Sequence, residues 1–447
     1  MKELTDMREF AGFIRRNSWL VIFTVLTAAV VYGAYLIHGG DILTDAETYI
    51  VYQEDSLATF ERAGRYGLYM AKKLFSTNTY MPEAFLCYMM IVMCIASLFF
   101  DFCIHDIMPA GHGKEADIFS WVFNGLFISC PVLVHQFYFY YQAFEVALGF
   151  FLGILGAYAV HIWAYKKGKA PWAFLGFACM LWSFGIYQVL VPFYIAVNVA
   201  FYLADYLYGE KREDYFVVCV KLTGIFLAGL CGYLLLSKLW VLVRYHKFMT
   251  LLADNYMGWG RFSFTDCLRL IKRDLWNVIF SQVPAFSRGY LFLTVLFAAL
   301  AWQGGKRAGK KQLYLYLMAT AVFVVSPFFM SLLLGNCQIL RAHLVYPFVF
   351  AACAGFAAML LWDRRRLFYP LAGVLLFLFC DQISISNRYE QMIHFVAKAD
   401  REMAGAIYQQ ARKLSLDSVG AAGRTGGICL PAGGKYDGLA GRRLYGL

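Results

Sequence analysis

Acidic residues crowd the stretch from His38 to Pro82. Asp41, Asp45, Glu47, Glu54, Asp55 and Glu61 stand there against Arg62, Arg65, Lys72 and Lys73. Asp41 and Asp45 are four apart, so on a helix they share a face. A carboxylate beside an apolar wall has its pKa raised and can serve as a general base; the plainer alternative is that these acids only solvate a loop. A second stretch, 238–288, interleaves Lys238, Arg244, His246, Lys247, Arg261, Arg269, Lys272, Arg273 and Arg288 with Trp240, Tyr245, Tyr256, Trp259, Phe262, Phe264 and Trp276. Such interleaving suits an anionic lipid headgroup or a sugar, or else an ordinary aromatic belt at a membrane surface. Three smaller polar spots interrupt apolar runs: Tyr187-Gln188; the turn holding His135, Gln136, Tyr140, Tyr141, Gln142 and Glu145; and the turn Gly335–His343 with Arg341. An ionisable group so close to an apolar run is costly unless it is paired or lines a wet cavity.

The elements that must position these residues are membrane helices. The chain is 61% hydrophobic and 15% charged over 447 residues, whereas soluble domains are about 45–50% apolar and about a quarter charged. Disorder, a nucleic-acid-binding domain and a soluble Rossmann or barrel enzyme are therefore excluded. The +11 net charge belongs to the loops of a polytopic membrane protein. The cysteines lie mostly in apolar runs and form no CxxC, so neither a zinc site nor a disulfide framework is expected. Taking about 20 apolar residues per crossing, eleven spans are expected near 18–38, 84–105, 118–134, 144–165, 171–187, 189–207, 215–237, 289–303, 312–334, 343–361 and 367–385. Residues 171–207 read either as one long tilted helix or as two crossings broken at Pro192. With the N-terminus inside, the basic turns at Lys166–Lys169, Glu210–Arg212, Lys306–Lys311 and Arg364–Arg366 are cytoplasmic. Segments 39–83, 238–288 and 386–447 are then outside. Leu57–Phe75 reads as one amphipathic helix lying on the membrane, its Arg65, Lys72 and Lys73 gripping lipid phosphates. Ser386–Arg412 reads as a separate soluble helix before a Gly-rich tail, which divides the chain into a membrane domain, 1–385, and an outer segment, 386–447.

Four places in the chain resemble the type II glucosyl transferase family, the membrane Gtr enzymes that decorate bacterial surface polysaccharides. They are the acidic run Gly40-Asp41 to Asp45 followed by Ala63-Gly64-Arg65; Ser183-Phe184-Gly185-Ile186-Tyr187-Gln188, similar to the family's Tyr-Gln signature; Arg341 on a turn before a late span; and the helix Asn387–Arg412. The family often shows two adjacent aspartates, whereas here Ala46 follows Asp45. The resemblance implies an all-α, GT-C-like membrane fold whose active site faces outward and is built largely from the first outer loop. It implies a polyprenyl-phosphate-linked hexose, typically glucose, as donor, and a lipid-linked or nascent glycan as acceptor, with membrane lipids as the other partners. Asp45, then Asp41, is the expected base. Arg65, Arg261 and Arg341 are expected to hold the donor phosphate, and Tyr187, Gln188, Glu54 and Asp55 to contact substrate. No cofactor is implied with certainty; a divalent metal between carboxylate and phosphate is compatible with the chemistry, but no ligand spacing marks a metal site.

Two other readings compete. A lipid-linked oligosaccharide polymerase would use the basic segment 238–288 and has less use for the acidic first loop. A flippase or transporter for lipid-linked sugars predicts charged residues deep within several helices, where only Asp101, Asp205 and Lys221 come near. The expected site is the bacterial cytoplasmic membrane, with a cytoplasmic N-terminus and an extracytoplasmic active site.

Overall fold

The computed structural model describes residues 3–37, 53–79, 81–166, 168–209, 214–246, 257–307 and 312–413. Its helices run in chain order as α1 (Glu3–Arg16), α2 (Ser18–Ile37), α3 (Gln53–Arg62), α4 (Tyr66–Leu74), α5 (Pro82–Ile107), α6 (Gly113–Ile128), α7 (Pro131–Phe137), α8 (Tyr140–Tyr165) and α9 (Ala170–Ile186). They continue as α10 (Leu190–Tyr208), α11 (Tyr215–Tyr245), α12 (Phe264–Ile279), α13 (Tyr290–Arg307), α14 (Leu313–Val325), α15 (Phe329–Leu334), α16 (Val345–Leu361) and α17 (Arg365–Lys413). Among the described residues the only β pairing is an isolated bridge between Trp259 and Phe262. That outcome follows from the solvent: in hydrocarbon a helix satisfies its own backbone groups.

Among the described residues six helices are long and apolar enough to cross a membrane, or eight if the bent pairs α1–α2 and α6–α7 each make one span. Each of the eleven expected runs overlaps helix, with 118–134 and 312–334 each broken over two, but among the described residues only these six to eight qualify as crossings by length and composition. The apolar helices α9 and α16 are 17 residues each, about 25 Å at 1.5 Å per residue, short of a core about 30 Å thick. The stretch 171–207 is two helices, and the break falls at Tyr187–Val189 rather than at Pro192. Pro192 lies in the first turn of α10, where its missing N–H has no helical partner to lose.

The middle of the bundle is made of helices that are apolar on every side. All of α16 except Leu360 is buried, and so is most of α8; an all-round apolar helix belongs in an interior. α11 lies at the edge and exposes Phe216, Val217, Val220, Leu227, Leu235 and Val243, the composition of a lipid-facing surface. α8 packs against α5, α9 and α10, and α16 against α6 and α13.

Three expected boundaries shift. Leu57–Phe75 is two helices, α3 and α4, because Gly64 takes φ +77°, a left-handed conformation that ends the helix at little steric cost. α11 runs past residue 237 to Tyr245, so Lys238, Trp240, Arg244 and Tyr245 are helical. α17 continues unbroken through residue 385. The tail beyond Lys413 lies outside the described residues.

α4 lies tight against α9. A Cβ on Gly67 would sit 2.6 Å from the Trp182 carbonyl oxygen, and one on Gly185 would sit 2.7 Å from the Tyr66 ring. Gly67→Ala should therefore destabilise the detergent-solubilised protein by about 1–3 kcal/mol. Gly12→Ala, where a Cβ meets nothing within 4 Å, should not. Equal melting temperatures for the two variants would show that α4 does not approach α9 this closely.

Candidate active site

The Ala63-Gly64-Arg65 turn sits on the break between α9 and α10. After Gly64 reverses the chain, the Arg65 N–H donates to the Phe60 carbonyl at 3.0 Å. The half-buried guanidinium lies over the Tyr187 ring, 4.5 Å from its centroid, and beside Phe60 at 5.6 Å. Its Nε donates to Gln188 Oε1 at 3.4 Å and its Nη1 to Gln142 Oε1 at 3.3 Å. Gln188 in turn donates through Nε2 to the Ala63 carbonyl at 2.7 Å, so the same amide holds both the turn and its cation. Among the described residues no carboxylate pairs with Arg65. Glutamine carbonyls orient a guanidinium without neutralising it, which leaves donors and net charge free for an anion.

The turn is also gripped from α11. Glu61, 1% exposed, accepts from Trp240 Nε1 at 3.1 Å and from the Tyr245 hydroxyl, and pairs with Arg244 Nε at 3.1 Å. Arg244 also donates to the Tyr69 hydroxyl at 3.0 Å and stacks on that ring. Ser237 donates to the Gly64 carbonyl at 3.3 Å. Glu61 is thereby a fixed strut, and Arg244 its counter-charge.

Lys72 corrects the expectation of a lipid-gripping side chain. It is fully buried against Glu145 at 3.1 Å, donates to the Tyr141 carbonyl and to the Thr77 carbonyl at 3.3 Å, and lies over the Tyr141 ring. Burial pushes its pKa below the usual lysine value, against the opposing pull of Glu145. The sequence held a usable signal: Lys72 follows Leu68 by four residues, on the face of α4 that is buried.

Arg341, in the single turn Leu340–Ala342, is half-buried over the Phe139 ring at 4.4 Å. Phe139 lies three residues before Gln142, so Arg341 and Arg65 contact one short segment at the start of α8. Arg261 is exposed, on a turn seated against the chain that leads to Arg341: Gly258 N–H donates to the Leu334 carbonyl at 2.7 Å, and Trp259 Nε1 to the Leu332 carbonyl at 3.1 Å. Among the described residues no contact joins Arg261 to either other arginine. Glu54 lies in the first turn of α3, and Asp55 is exposed beside it. Asp41 and Asp45 fall outside the described residues.

Asp274 went unnoticed in the sequence, lost among the charges of α12. Its buried carboxylate faces His343 Nε2 at 3.3 Å, accepts from the Ser331 hydroxyl, and accepts from the Gln338 N–H at 3.2 Å. It therefore ties α12 to the loop that carries Arg341.

With this geometry in hand, the comparison with known families is direct: the family model described as glucosyl transferase GtrII matches residues 40–361. The chain belongs to the GtrII glucosyl transferase family. No curated protein and no solved structure matches it. The stretch shared with the GtrII family takes in Arg65, Tyr187, Gln188, Arg261 and Arg341 and stops before α17.

Two predictions test this frame. Lys72→Met or Glu145→Leu alone should cost about 3–5 kcal/mol by stranding a buried charge, and the double variant should recover most of it; additive losses in melting experiments would deny the pairing. For Asp274, burial alone would raise the pKa, but the hydrogen bonds from His343, Ser331 and Gln338 outweigh it and hold the carboxyl below its ordinary value of 3.8. A depressed carboxyl stabilises fully above its unfolded pKa, and the gain is lost as pH falls through the folded value. Asp274→Asn should thus cost about 1–3 kcal/mol near neutrality, with the gap to wild type closing below the ordinary carboxylate pKa. A gap that stays constant with pH would contradict the ionised reading.

Proposed function

We propose that this glucosyltransferase-family protein moves a glucosyl unit from a polyprenyl-phosphate donor to a lipid-linked or nascent surface glycan. On this reading it is a GT-C type enzyme of the bacterial cytoplasmic membrane, its N-terminus cytoplasmic and its site on the outer face. The observation that carries the reading is Arg65, a cation fixed by Tyr187, Gln142 and Gln188 with no carboxylate neutralising it among the described residues. That is the arrangement a departing phosphate requires.

In the proposed reaction the acceptor hydroxyl oxygen attacks the anomeric carbon in line. The new C–O bond forms as the bond to the phosphate oxygen breaks, and that oxygen keeps the electron pair. The hydroxyl proton passes to a carboxylate, for which Asp45 is the first candidate and Asp41 the second. Arg65 stabilises the polyprenyl phosphate released, and Arg341 and Arg261 add positive potential. The anomeric centre inverts. Tyr187 and Gln188 act by positioning Arg65 and the substrate, with Glu54 and Asp55 proposed to meet sugar hydroxyls.

The test is transfer from polyprenyl-phosphate-glucose to a panel of lipid-linked acceptors in liposomes. Arg65→Ala should lower kcat/KM by at least a hundredfold, about 2.7 kcal/mol of transition-state stabilisation, and Asp45→Asn should abolish transfer while the protein stays folded. Transfer that survives Asp45→Asn would move the base to Asp41. Movement of lipid-linked sugar across the bilayer without any transfer would sink the enzyme reading.

A further inference from the structure

The seam between α6 and α17, which pack together, carries two cavities of opposite character. Where both helices begin, an open cleft of about 560 Å³ is lined by Lys114, Glu115, Trp362, Asp363 and Arg365, a volume within the range of about 300–1,000 Å³ usual for small-ligand sites. Gly111 and Gly113 complete its wall, and a Cβ on either would meet nothing within 4 Å. Further along the same helices a second cavity, of about 240 Å³, is lined only by apolar residues, among them Phe23 of α2, Trp121 of α6, and Phe368 and Phe379 of α17. Phe368 follows Arg365 by three residues and Trp121 follows Lys114 by seven, so about 5–10 Å of helix axis separates the two linings.

The cleft is charged but does not close on itself. Among the described residues no ion pair joins Lys114 or Arg365 to Glu115 or Asp363. Glu115 faces His112 Nδ1 at 3.5 Å instead, and the Arg365 guanidinium lies 3.7 Å from the Trp362 ring centroid. Lys114, Asp363 and Arg365 are exposed. The second cavity opens sideways, with Trp121 41% and Leu376 63% exposed. Gly125 keeps room in it: a Cβ there would sit 3.3 Å from the Phe23 ring and 3.5 Å from the Phe379 ring.

A ligand that uses both cavities is an amphiphile. Its polar end meets two cations and two acids, which suits a headgroup of both signs, phosphate to Lys114 and Arg365 and ammonium to Asp363 and Glu115. A purely anionic headgroup would leave the acids to repel it. The apolar cavity takes a hydrocarbon chain and offers nothing to a water-soluble ion. We propose that the α6–α17 seam binds one zwitterionic phospholipid, phosphatidylethanolamine, with its headgroup in the Lys114–Arg365 cleft and an acyl chain along Phe23, Trp121 and Phe379. The site is remote from Arg65. Gln142, which meets Arg65, and Lys166, which pairs with Asp106 five residues before Gly111, mark the two ends of α8. They are 24 residues apart, about 36 Å. The lipid is therefore neither donor nor acceptor, and it clasps to the bundle a helix that lies beyond residue 361, where the family match ends.

The test is native mass spectrometry of the delipidated full-length protein in detergent, titrated with phosphatidylethanolamine, phosphatidylglycerol and cardiolipin of matched acyl chains. Phosphatidylethanolamine should add as one saturable molecule, about tenfold tighter than phosphatidylglycerol, and should raise the melting temperature. Arg365→Gln should weaken it by about fivefold or more, and Asp363→Asn should remove the preference over phosphatidylglycerol. Both side chains are exposed, so the lipid-free variants should melt as wild type does. Gly125→Leu should lower the affinity by filling the apolar cavity, and Arg65→Gln should leave it unchanged. Phosphatidylglycerol or cardiolipin binding as tightly as phosphatidylethanolamine would overturn the headgroup assignment. The proposal also falls if no lipid saturates at one copy, or if Arg365→Gln and Asp363→Asn bind as wild type does.

Discussion

A guanidinium held by two amide carbonyls is oriented without being neutralised, and Gln142 and Gln188 hold Arg65 in that way. The carboxylate nearest in sequence is Glu61, and it points the other way, into Trp240, Tyr245 and Arg244. The separation depends on Gly64, whose positive φ turns Arg65 away from α3. It depends equally on the break at Tyr187–Val189, which frees Gln188 to bind the turn. Filling the contact at Gly67 or Gly185 would lift the whole arrangement off α9.

The start of α8, from Phe139 to Glu145, is where the other parts meet. Phe139 receives Arg341, Tyr141 and Glu145 receive Lys72, and Gln142 receives Arg65. Such a segment has to be rigid, and the buried Lys72–Glu145 pair supplies that rigidity at a cost in desolvation. The Asp274–His343 pair does the same for the loop behind Arg341. Neither pair has solvent-facing chemistry of its own. Both fix the direction in which an exposed or half-exposed cation points.

Much of this was legible in the sequence, and the misses share a cause. The apolar runs located the helices because hydrophobicity is a local property, and Tyr187, Gln188 and Arg65, named separately from their motifs, meet in one cluster. Lys72 was misplaced because its partner Glu145 is 73 residues away, and a lone lysine on an amphipathic run looks like a surface charge. Gly64 splitting Leu57–Phe75 was readable, since a glycine inside a helical pattern is a standing invitation to break it. The Asp274–His343 pairing was not, because it joins two segments 69 residues apart that periodicity treats as unrelated.

The proposal turns on Arg65, which no carboxylate neutralises among the described residues, receiving the donor phosphate. The most direct measurement is the affinity of the purified protein for polyprenyl phosphate, comparing wild type with Arg65→Gln and with Gln188→Leu at two salt concentrations. The account predicts at least a tenfold loss for Arg65→Gln, a smaller loss for Gln188→Leu, and a weaker salt dependence in the first variant. Unchanged affinity and unchanged salt dependence in Arg65→Gln would contradict it.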